Sequence, residues 1–265
     1  MEVVDRGFLV ESALLTHGIS SISNEEMLEM WPDDLDVIAW VDEGRIMIGG
    51  MAEYLPFRDK SKDVTRIDCY SFQGSLDDGV SGALTASGTM ELCRRLGIRL
   101  AVTCGMGGIG NVPGEELCPD LPALETIPVA LISTSPKDML DIKATIRWLS
   151  DHGVGVCGIG TEYCTGYLFK SAKVKLDKRL DSPDGSVVRE RTLLLNPIPE
   201  HERIGDLTIL SKADEVGHRA AAQGAFYHPA ANNEIDRLSA GHAARIQLKS
   251  IIANAELAKK LTARP

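Results

Sequence analysis

Lys137 is the residue whose type and position most favour covalent chemistry. It lies at a predicted strand-to-helix junction, within the run STSPKD at residues 133–138. Partial burial behind the strand and the positive end of the helix would both lower the pKa of its ammonium group. A neutral lysine amine can add to an aldehyde and form a Schiff base. The alternatives are an ion pair with Asp138 or Asp141 and a solvated surface charge, the usual state of an isolated lysine.

A glycine-rich run, GMGGIG at residues 105–110, follows a predicted strand and matches the dinucleotide-binding pattern GxGxxG. In that pattern a helix begins at the third glycine, and its amides bind the pyrophosphate. Here the run NVPG follows at residues 111–114 and does not begin a helix. We therefore expect no nucleotide cofactor. The run is interpreted either as a tight turn or as a backbone cradle that a substrate can approach closely.

The acidic composition limits the classes of partner. The 265 residues include 28 Lys and Arg against 38 Asp and Glu, for a formal net charge of -10. Nucleic-acid-binding proteins carry a basic surface, so nucleic acid is not an expected partner and any phosphate site must be local. With 44% hydrophobic residues, the chain can form a core without disulfides or metal staples. In the absence of linkers and repeats, one domain over residues 1–265 is predicted.

Cysteine spacing and the N-terminal sequence predict the compartment. The six cysteines form no CxxC pair and have no zinc-site spacing, so we expect buried thiols. The run MEVVDRGFLV carries acidic residues where a signal peptide would be basic, and no stretch approaches about 18 uninterrupted apolar residues. A cytoplasmic protein without a membrane partner is therefore predicted.

The elements that must position Lys137 alternate between strands and helices. This alternation is typical of an α/β fold with a central β-sheet flanked by helices. Residues 187–195 fit either a helix or a strand. The other predicted elements are two strands at 37–49 around a turn at 42–44, a helical pattern at 82–96 capped by Gly97, strands at 98–104, 127–133 and 154–159, a helix from Ser135-Pro136 to Ser150, a loop at 196–200, and a long amphipathic helix at 241–261.

Motifs over nearly the whole chain resemble, in order, the pseudouridine-5'-phosphate glycosidase family, also called indigoidine-synthase-A-like. Glu11-Ser12 and the run THG at residues 16–18 are similar to the family's Glu-Ser-Thr and His-Gly elements. The block around Lys137 and the run NPIPE at residues 196–200 are the most specific matches. The others are GA at 82–83, TM at 89–90, GIR at 97–99, TCGMGGI at 103–109, DL at 120–121, PV at 128–129, LD at 140–141, GV at 153–154, NA at 254–255 and LA at 257–258.

The resemblance implies an enzyme that joins or cleaves C1' of ribose 5-phosphate and a planar heterocycle. The family's lysine, which bonds to C1' of the ring-opened sugar, falls on Lys137. Its proton-donating glutamate falls on Glu11, and opening a furanose requires a proton at the ring oxygen, which suits a carboxyl group with a raised pKa. From the residues alone, Glu11 would be interpreted as a surface acid at a strand edge. The resemblance also implies a homo-oligomer, expected to be a trimer.

Several aligned positions depart from the family pattern. The substrate-binding lysine aligns with Arg66, which keeps the positive charge but replaces a compact ammonium group with a planar guanidinium group. The Ser-Ala-Asp substrate loop becomes Cys118-Pro119-Asp120, which loses a hydroxyl suited to phosphate. The metal-binding aspartate aligns with Glu116, an oxygen ligand able to hold a divalent metal, expected to be manganese; Glu115 is the alternative ligand. The remaining substrate-site departures are Ala86 for a valine, Gln247 for an asparagine and Gly110-Asn111 for a His-Arg pair.

These departures predict retained chemistry on a changed substrate, because Lys137 and Glu11 are present while the phosphate loop is altered. We expect a C-nucleoside 5'-phosphate synthase in biosynthesis. The first alternative is degradation of pseudouridine 5'-phosphate to uracil and ribose 5-phosphate. The second is a catalytically silent sugar-phosphate-binding protein, although such a protein would not need a nucleophile paired with an acid.

Overall fold

The central feature of the fold is a mixed β-sheet. The structure is a computed structural model that describes residues 6–110, 116–224 and 227–263. In these residues ten strands form the sheet: β1 Leu9–Val10, β2 Ile38–Asp42, β3 Arg45–Gly49, β4 Thr65–Ile67, β5 Gly82–Leu84, β6 Leu100–Val102, β8 Ala130–Ser133, β10 Gly155–Ile159, β13 Lys178–Leu180 and β14 Thr192–Leu195. Two further pairs join β7 Gly105–Met106 to β9 Ser135–Pro136, and β11 Tyr163–Cys164 to β12 Val174–Lys175.

Helices cover both faces of this sheet. They are α1 Ala13–His17, α2 Asn24–Met30, α3 Met51–Arg58, α4 Phe72–Asp77, α5 Ala86–Leu96, α6 Asp120–Thr126, α7 Ile142–Asp151, α8 Leu207–Ala222, α9 Tyr227–Leu238 and α10 His242–Thr262, with 3-10 turns at Gly185–Val187 and Glu200–Glu202. One apolar core packs α4 to α7 against one face, and a second packs α1 to α3 and α8 to α10 against the other. The predicted α/β fold with a central sheet flanked by helices is confirmed.

The carboxyl ends of four strands meet at one edge of the sheet. Strands β1, β6 and β8 are parallel neighbours, so they end together. Strand β5 is antiparallel to β2, so β5 ends beside the start of β2. Strand β1 also ends beside the start of β2, and the carboxyl ends of β1 and β5 therefore lie close together. The Ser12 hydroxyl fixes this junction by donating to the Ala39 carbonyl at 2.7 Å and accepting the Leu84 amide at 2.9 Å. Ligands of α/β sheets bind outside such strand ends.

Most predicted elements are confirmed with small shifts at their ends. Strands β2 and β3 form the predicted hairpin, and α5 ends at Gly97, whose φ of 71° is the left-handed conformation of a helix cap. The start of this helix was predicted wrongly: residues 82–84 form strand β5, and α5 begins at Ala86 after the N-cap Thr85. Residues 187–195 contain strand β14 rather than a helix. Helices α8 and α9 have no counterpart among the predicted elements. In α8 the buried residues are only Ala213 and Gly217, so its apolar stripe is weak.

The helix predicted from Ser135-Pro136 begins later than expected. Ser135 and Pro136 form β9 instead, and the helix begins at Ile142 with Asp141 as its N-cap. Proline lacks an amide hydrogen, which is tolerated both at the start of a helix and at the edge of a sheet, so its presence did not distinguish the two. Lys137 therefore lies between β9 and the helix, at the start of a turn in which the Leu140 amide donates to the Lys137 carbonyl at 3.1 Å. The prediction that Lys137 lies in the first turn of a helix is wrong.

Cysteine burial and helix hydropathy were also predicted from the sequence. Cys93, Cys104 and Cys164 are buried as expected, whereas Cys69, Cys118 and Cys157 are partly exposed; all six are free thiols. Within the described ranges, every helix is too short or too polar to cross a bilayer.

Candidate active site

A cavity of about 330 Å³ lies at the converging strand ends. Segments that follow β1, β5, β6 and β8 form part of its wall, and α9 and α10 contribute the rest of one side. The cavity brings together all the predicted catalytic and substrate-binding residues: Glu11, Arg66, Ala86, Cys118, Pro119, Asp120, Lys137 and Gln247. Their individual roles stay predictions.

Lys137 lines this cavity and directly follows β9, which pairs with β7. The pairing of β7 with β9 continues β6 and β8 beyond the main sheet, and the Lys137 amide donates to the Met106 carbonyl at 3.2 Å. Burial is the main cause that lowers the pKa of its ammonium group, and the positive charge of Arg66 adds to it. The negative charge of Glu11 acts in the opposite direction. The lysine is thus biased towards the neutral amine, which is the nucleophilic form.

The two aspartates next to Lys137 in sequence bind backbone amides instead of the lysine. Asp138 Oδ1 accepts the Tyr167 amide at 2.8 Å, and its Oδ2 accepts the amides of Leu168 at 2.7 Å and Phe169 at 3.1 Å. Asp141 accepts the Ala144 amide at 2.8 Å at the start of α7. Asp138 therefore fixes a distant loop against the lysine segment, and it leaves the amine to the cavity.

We expect Asp138→Ala to lower the free energy of unfolding by about 3 kcal/mol, because three backbone amides lose a charged acceptor. Urea denaturation followed by circular dichroism would measure the loss. Asp141→Ala is the matched control, since it removes one helix cap at a cost of about 1 kcal/mol. A loss for Asp138→Ala no larger than that of the control would contradict the anchoring role.

Glu11 is a buried carboxyl at the floor of the cavity. It directly follows β1 and is only 6% exposed, so it is not the surface acid that its position alone would indicate. The Thr103 hydroxyl donates to its Oε1 at 2.7 Å. Burial raises its pKa to about 7, although the Thr103 hydrogen bond and the charge of Lys137 both oppose the rise. Such a carboxyl can both give and take a proton near neutral pH.

The groups best suited to an anion lie where α5 begins. Arg66 projects from strand β4 at the edge of the sheet, and Ala86 and Ser87 line the cavity in the first turn of α5. The positive end of a helix favours a negative group. Asp120, however, already accepts the amides of Ser87 at 3.0 Å and Gly107 at 2.8 Å. Asp120 thus positions α5 and the glycine run, and Arg66 is the cation available to a phosphate.

The glycine run forms part of the cavity wall. Gly105, Gly107 and Gly108 all line the cavity, which agrees with the backbone-cradle interpretation. A side chain at Gly107 would overlap the Cys118 sulfur, so close packing requires glycine there. After the run, Ile109 bridges to Leu117, and the next helix in the described residues is α6. Residues 111–115, including Asn111 and Glu115, lie outside the described ranges.

Gln247 presents a buried amide to the cavity. Its Oε1 accepts the Tyr167 hydroxyl at 3.3 Å, and that hydroxyl also lies 2.9 Å from the Cys104 sulfur. Its Nε2 is buried and has no hydrogen-bond partner among the described residues. An unpaired buried donor costs free energy, so this amide is suited to a substrate oxygen. Tyr167 was missed in the sequence because its contact with Gln247 joins distant parts of the chain.

Helix α9 supplies three further cavity residues that the sequence did not indicate: His228, Pro229 and Asn232. Helices α8 and α9 pack against each other more extensively than any other pair of elements. Asn232 Nδ2 donates to the Gly18 carbonyl at 2.5 Å, which joins α9 to the end of α1. Only a prediction of this helical hairpin could have placed these residues at the cavity. His17, also at the cavity, lies in the THG motif.

Glu116 lies apart from the other predicted site residues. It is exposed and does not line the cavity. Within residues 6–110, 116–224 and 227–263, no group of three or more His, Cys, Asp or Glu side chains could hold a metal ion. Manganese at Glu116, or at Glu115, therefore stays a prediction.

Sequence comparison defines the chain as an enzyme of the C-glycosidase class. It is 28% identical over 213 residues to the pseudouridine-5'-phosphate glycosidase of Methylobacterium nodulans, covering 74% of this chain and 63% of that protein. It is 26% identical over 271 residues to the pseudouridine-5'-phosphate glycosidase of Thermus thermophilus, covering 95% of each. The predicted enzyme class is confirmed.

The profile of the indigoidine synthase A like protein family matches residues 9–264, so the chain belongs to this family. Two solved structures share the fold. The prealnumycin C-glycosynthase AlnA, in complex with ribulose 5-phosphate, has a TM-score of 0.73 at 24% identity over 96% of this chain and 91% of its own. An indigoidine synthase A-like protein from Thermotoga maritima has a TM-score of 0.76 at 19% identity over 97% and 92%.

Proposed function

We propose that this protein is a C-nucleoside 5'-phosphate synthase that joins a planar heterocycle to C1' of ribose 5-phosphate. Lys137 forms a Schiff base with the ring-opened sugar, and Glu11 moves the proton of the ring oxygen. One observation carries the proposal: Lys137 and Glu11 line the same cavity, where burial lowers the pKa of the lysine and raises the pKa of the carboxyl to about 7. A binding protein gains nothing from keeping such a pair in reactive protonation states.

The first half of the reaction forms the Schiff base. Protonated Glu11 gives its proton to the sugar ring oxygen O4' as the C1'–O4' bond breaks, and the C1' hydroxyl releases its proton as the aldehyde forms. The neutral Lys137 amine adds to C1', and the resulting carbinolamine takes up one proton and loses water to leave an iminium. The Thr103 hydrogen bond to Oε1 holds the Glu11 carboxyl for this transfer, and Oε2 is the oxygen left to meet the sugar.

The second half forms the carbon–carbon bond. A nucleophilic carbon of the heterocycle attacks C1' of the iminium, and the C=N electron pair passes to the lysine nitrogen. The proton from the attacking carbon is then transferred to this nitrogen. O4' closes on C1' and displaces the lysine as a neutral amine, while Glu11 takes the O4' proton. The net change joins ribose 5-phosphate and the heterocycle with loss of one water, so both catalytic groups return to their starting states.

The lining residues support a substrate that differs from that of the degradative relatives. Arg66 and the start of α5 are suited to the sugar phosphate, whereas Cys118 presents a thiol in place of a hydroxyl. The structural neighbour AlnA is a C-glycosynthase that binds a pentose 5-phosphate. The names of the sequence relatives favour the second candidate, cleavage of pseudouridine 5'-phosphate to uracil and ribose 5-phosphate.

Reductive trapping tests the Schiff base directly. The protein is incubated with ribose 5-phosphate and borohydride, digested and analysed by mass spectrometry. We expect a reduced pentose phosphate adduct on Lys137, and the same yield from Lys143→Ala, which removes an exposed lysine of α7. Tight binding of ribose 5-phosphate without an adduct would support the silent sugar-phosphate-binding protein.

A product screen separates the two reactions. A panel of heterocycles that includes uracil is incubated with ribose 5-phosphate, and new C-nucleoside 5'-phosphates are sought by mass spectrometry. A product with a heterocycle other than uracil supports the synthase. Release of uracil from pseudouridine 5'-phosphate, with no product from any other heterocycle, would support degradation.

Manganese at Glu116 and assembly as a trimer stay predictions. If a metal at Glu116 takes part in the reaction, a chelator and Glu116→Ala should each lower activity, and added manganese should restore only the chelated enzyme. Unchanged activity after chelation would contradict a role of the metal in the reaction.

Light scattering would measure the oligomeric state, and a monomer would contradict the predicted trimer.

A further inference from the structure

A buried polar cluster, formed by Tyr167, Cys104 and Gln247, borders the main cavity. The Tyr167 hydroxyl lies 2.9 Å from the Cys104 sulfur and 3.3 Å from Gln247 Oε1. The same sulfur lies 3.3 Å from the main-chain carbonyl oxygen of Gln247. All three side chains are buried, and Gln247 is the one that lines the cavity. The chemical steps proposed above use none of them.

The cluster fixes which end of the Gln247 amide faces the cavity. An amide oxygen is a strong acceptor and a thiol sulfur a weak one, so the Tyr167 hydroxyl donates its proton to Oε1. The Cys104 thiol proton is then available to the Tyr167 oxygen and to the Gln247 carbonyl. Gln247 Nε2, buried without a hydrogen-bond partner among the described residues, is left for the substrate. The cavity wall therefore offers a donor at this position.

Gln247 borders the end of the substrate that is remote from the phosphate. The groups suited to the phosphate lie where α5 begins, and α5 packs on one face of the sheet, whereas α10 carries Gln247 on the other. The Cys104 amide nitrogen lies 3.5 Å from Glu11 Oε1, so the cluster adjoins the acid that acts on the sugar ring. The heterocycle is joined at C1', across the sugar ring from the carbon that bears the phosphate. The heterocycle is therefore the part of the substrate that meets Nε2.

We propose that Tyr167 holds the Gln247 amide as a donor and thereby restricts the protein to heterocycles with a carbonyl oxygen next to the attacking carbon. This inference rests on the proposed function. A carbonyl oxygen accepts from Nε2, whereas an amino group at the same place sets two donors against each other and leaves both without partners. Tyr167 is a positioning residue, because it acts only through Gln247.

Four pyrimidines of nearly the same shape test this selection. Uracil and isocytosine carry an oxygen at C4, next to the nucleophilic carbon C5, and cytosine and 2,4-diaminopyrimidine carry an amino group there. Each is incubated with ribose 5-phosphate, and mass spectrometry gives kcat/KM for formation of the C-nucleoside 5'-phosphate. Other rings that the product screen accepts are compared in the same way. We expect kcat/KM to be at least about 100-fold higher for rings with the oxygen.

Two variants of unchanged volume assign this preference to the cluster. Tyr167→Phe should reduce the ratio of kcat/KM values at least about tenfold, because the released amide can turn its oxygen towards the cavity. Gln247→Met should abolish the preference. In both variants, the ribose 5-phosphate concentration that gives half of the maximal borohydride adduct on Lys137 should be unchanged. A general structural defect would lower the rates with all rings and leave their ratio unaltered.

The matched control is Tyr54→Phe. The Tyr54 hydroxyl is also buried and donates to the Ser12 carbonyl at 3.3 Å, but Tyr54 lines neither the main cavity nor the smaller one beside Lys137. Its preference among the rings should equal that of the unaltered protein.

Three results would overturn the proposed selection. They are an amino-bearing ring joined as fast as its oxygen-bearing counterpart, an unchanged ratio in both Tyr167→Phe and Gln247→Met, and weaker adduct formation in these variants with the ratio unchanged, which would place a sugar hydroxyl at Nε2. If the unaltered protein forms no adduct, or forms the adduct and joins no ring, the proposed function fails instead.

Discussion

Lys137→Ala is expected to abolish turnover, with kcat reduced at least about 10⁴-fold, because no other group can form the covalent bond to C1'. Product formation from ribose 5-phosphate and an accepted heterocycle would be followed by mass spectrometry. The thermal unfolding midpoint should stay the same or rise. The substitution removes an amine whose charge is disfavoured by burial, and the backbone hydrogen bond of residue 137 to Met106 remains.

Lys137→Met and Lys143→Ala complete this test. Methionine fills nearly the same volume without an amine, so it should be as inactive as alanine. Lys143 is exposed on α7, and its loss should leave kcat unchanged. Activity of Lys137→Ala near that of the unaltered enzyme would refute the nucleophile.

Glu11→Gln is expected to lower kcat by about 10²- to 10⁴-fold, because glutamine cannot transfer a proton to or from O4'. Ring opening needs the protonated carboxyl, so kcat/KM of the unaltered enzyme should fall as pH rises through about 7. This fall, the alkaline limb of the pH profile of kcat/KM, should be absent in Glu11→Gln. Thr103→Val is the matched variant: loss of a hydrogen bond that lowers the pKa should move the limb to higher pH. An unmoved limb in both variants would exclude Glu11 as its origin.

Glu11→Gln lowers activity, but it should remove a loss of stability that the unaltered enzyme shows as pH rises. Folding raises the Glu11 pKa from 4.5 to about 7, so the folded state holds this proton more tightly than the unfolded state. The resulting stabilisation is fully present below about pH 4.5 and is lost as pH rises to about 7, a change of about 3 kcal/mol. Urea denaturation at pH 5 and pH 8 should show this loss in the unaltered enzyme and not in Glu11→Gln. Equal losses in both proteins would contradict the shifted pKa.

The sequence indicated Lys137 because it follows a predicted strand, whereas Glu11 was assigned only through the family resemblance. Glu11 and Lys137 come after β1 and β9, and the order of motifs assigned their roles through the family resemblance. Parallel pairing then brings them to one edge of the sheet, as expected for strands in an α/β fold. The start of α7 was misplaced because Pro136 is compatible with both a helix and a strand.

The contacts around the pair depend on residues distant in sequence, which local patterns do not reveal. Asp138 binds the amides of residues 167–169, and Tyr167 in turn binds Gln247. His228 and Asn232 lie in α9, a helix of mainly polar composition, and neither the helix nor its cavity residues were predicted. These arrangements are set by tertiary packing, and propensity and spacing carry little information about them.

The α8–α9 hairpin has a consequence for redesign. Lys137 directly follows β9, which continues the sheet, whereas His228, Pro229 and Asn232 belong to α9, which packs against α8. The proposed nucleophile and one wall of the cavity therefore belong to different secondary-structure elements. Grafting a hairpin of different sequence onto the same sheet offers a route to new heterocycle selectivity that leaves the covalent chemistry in place.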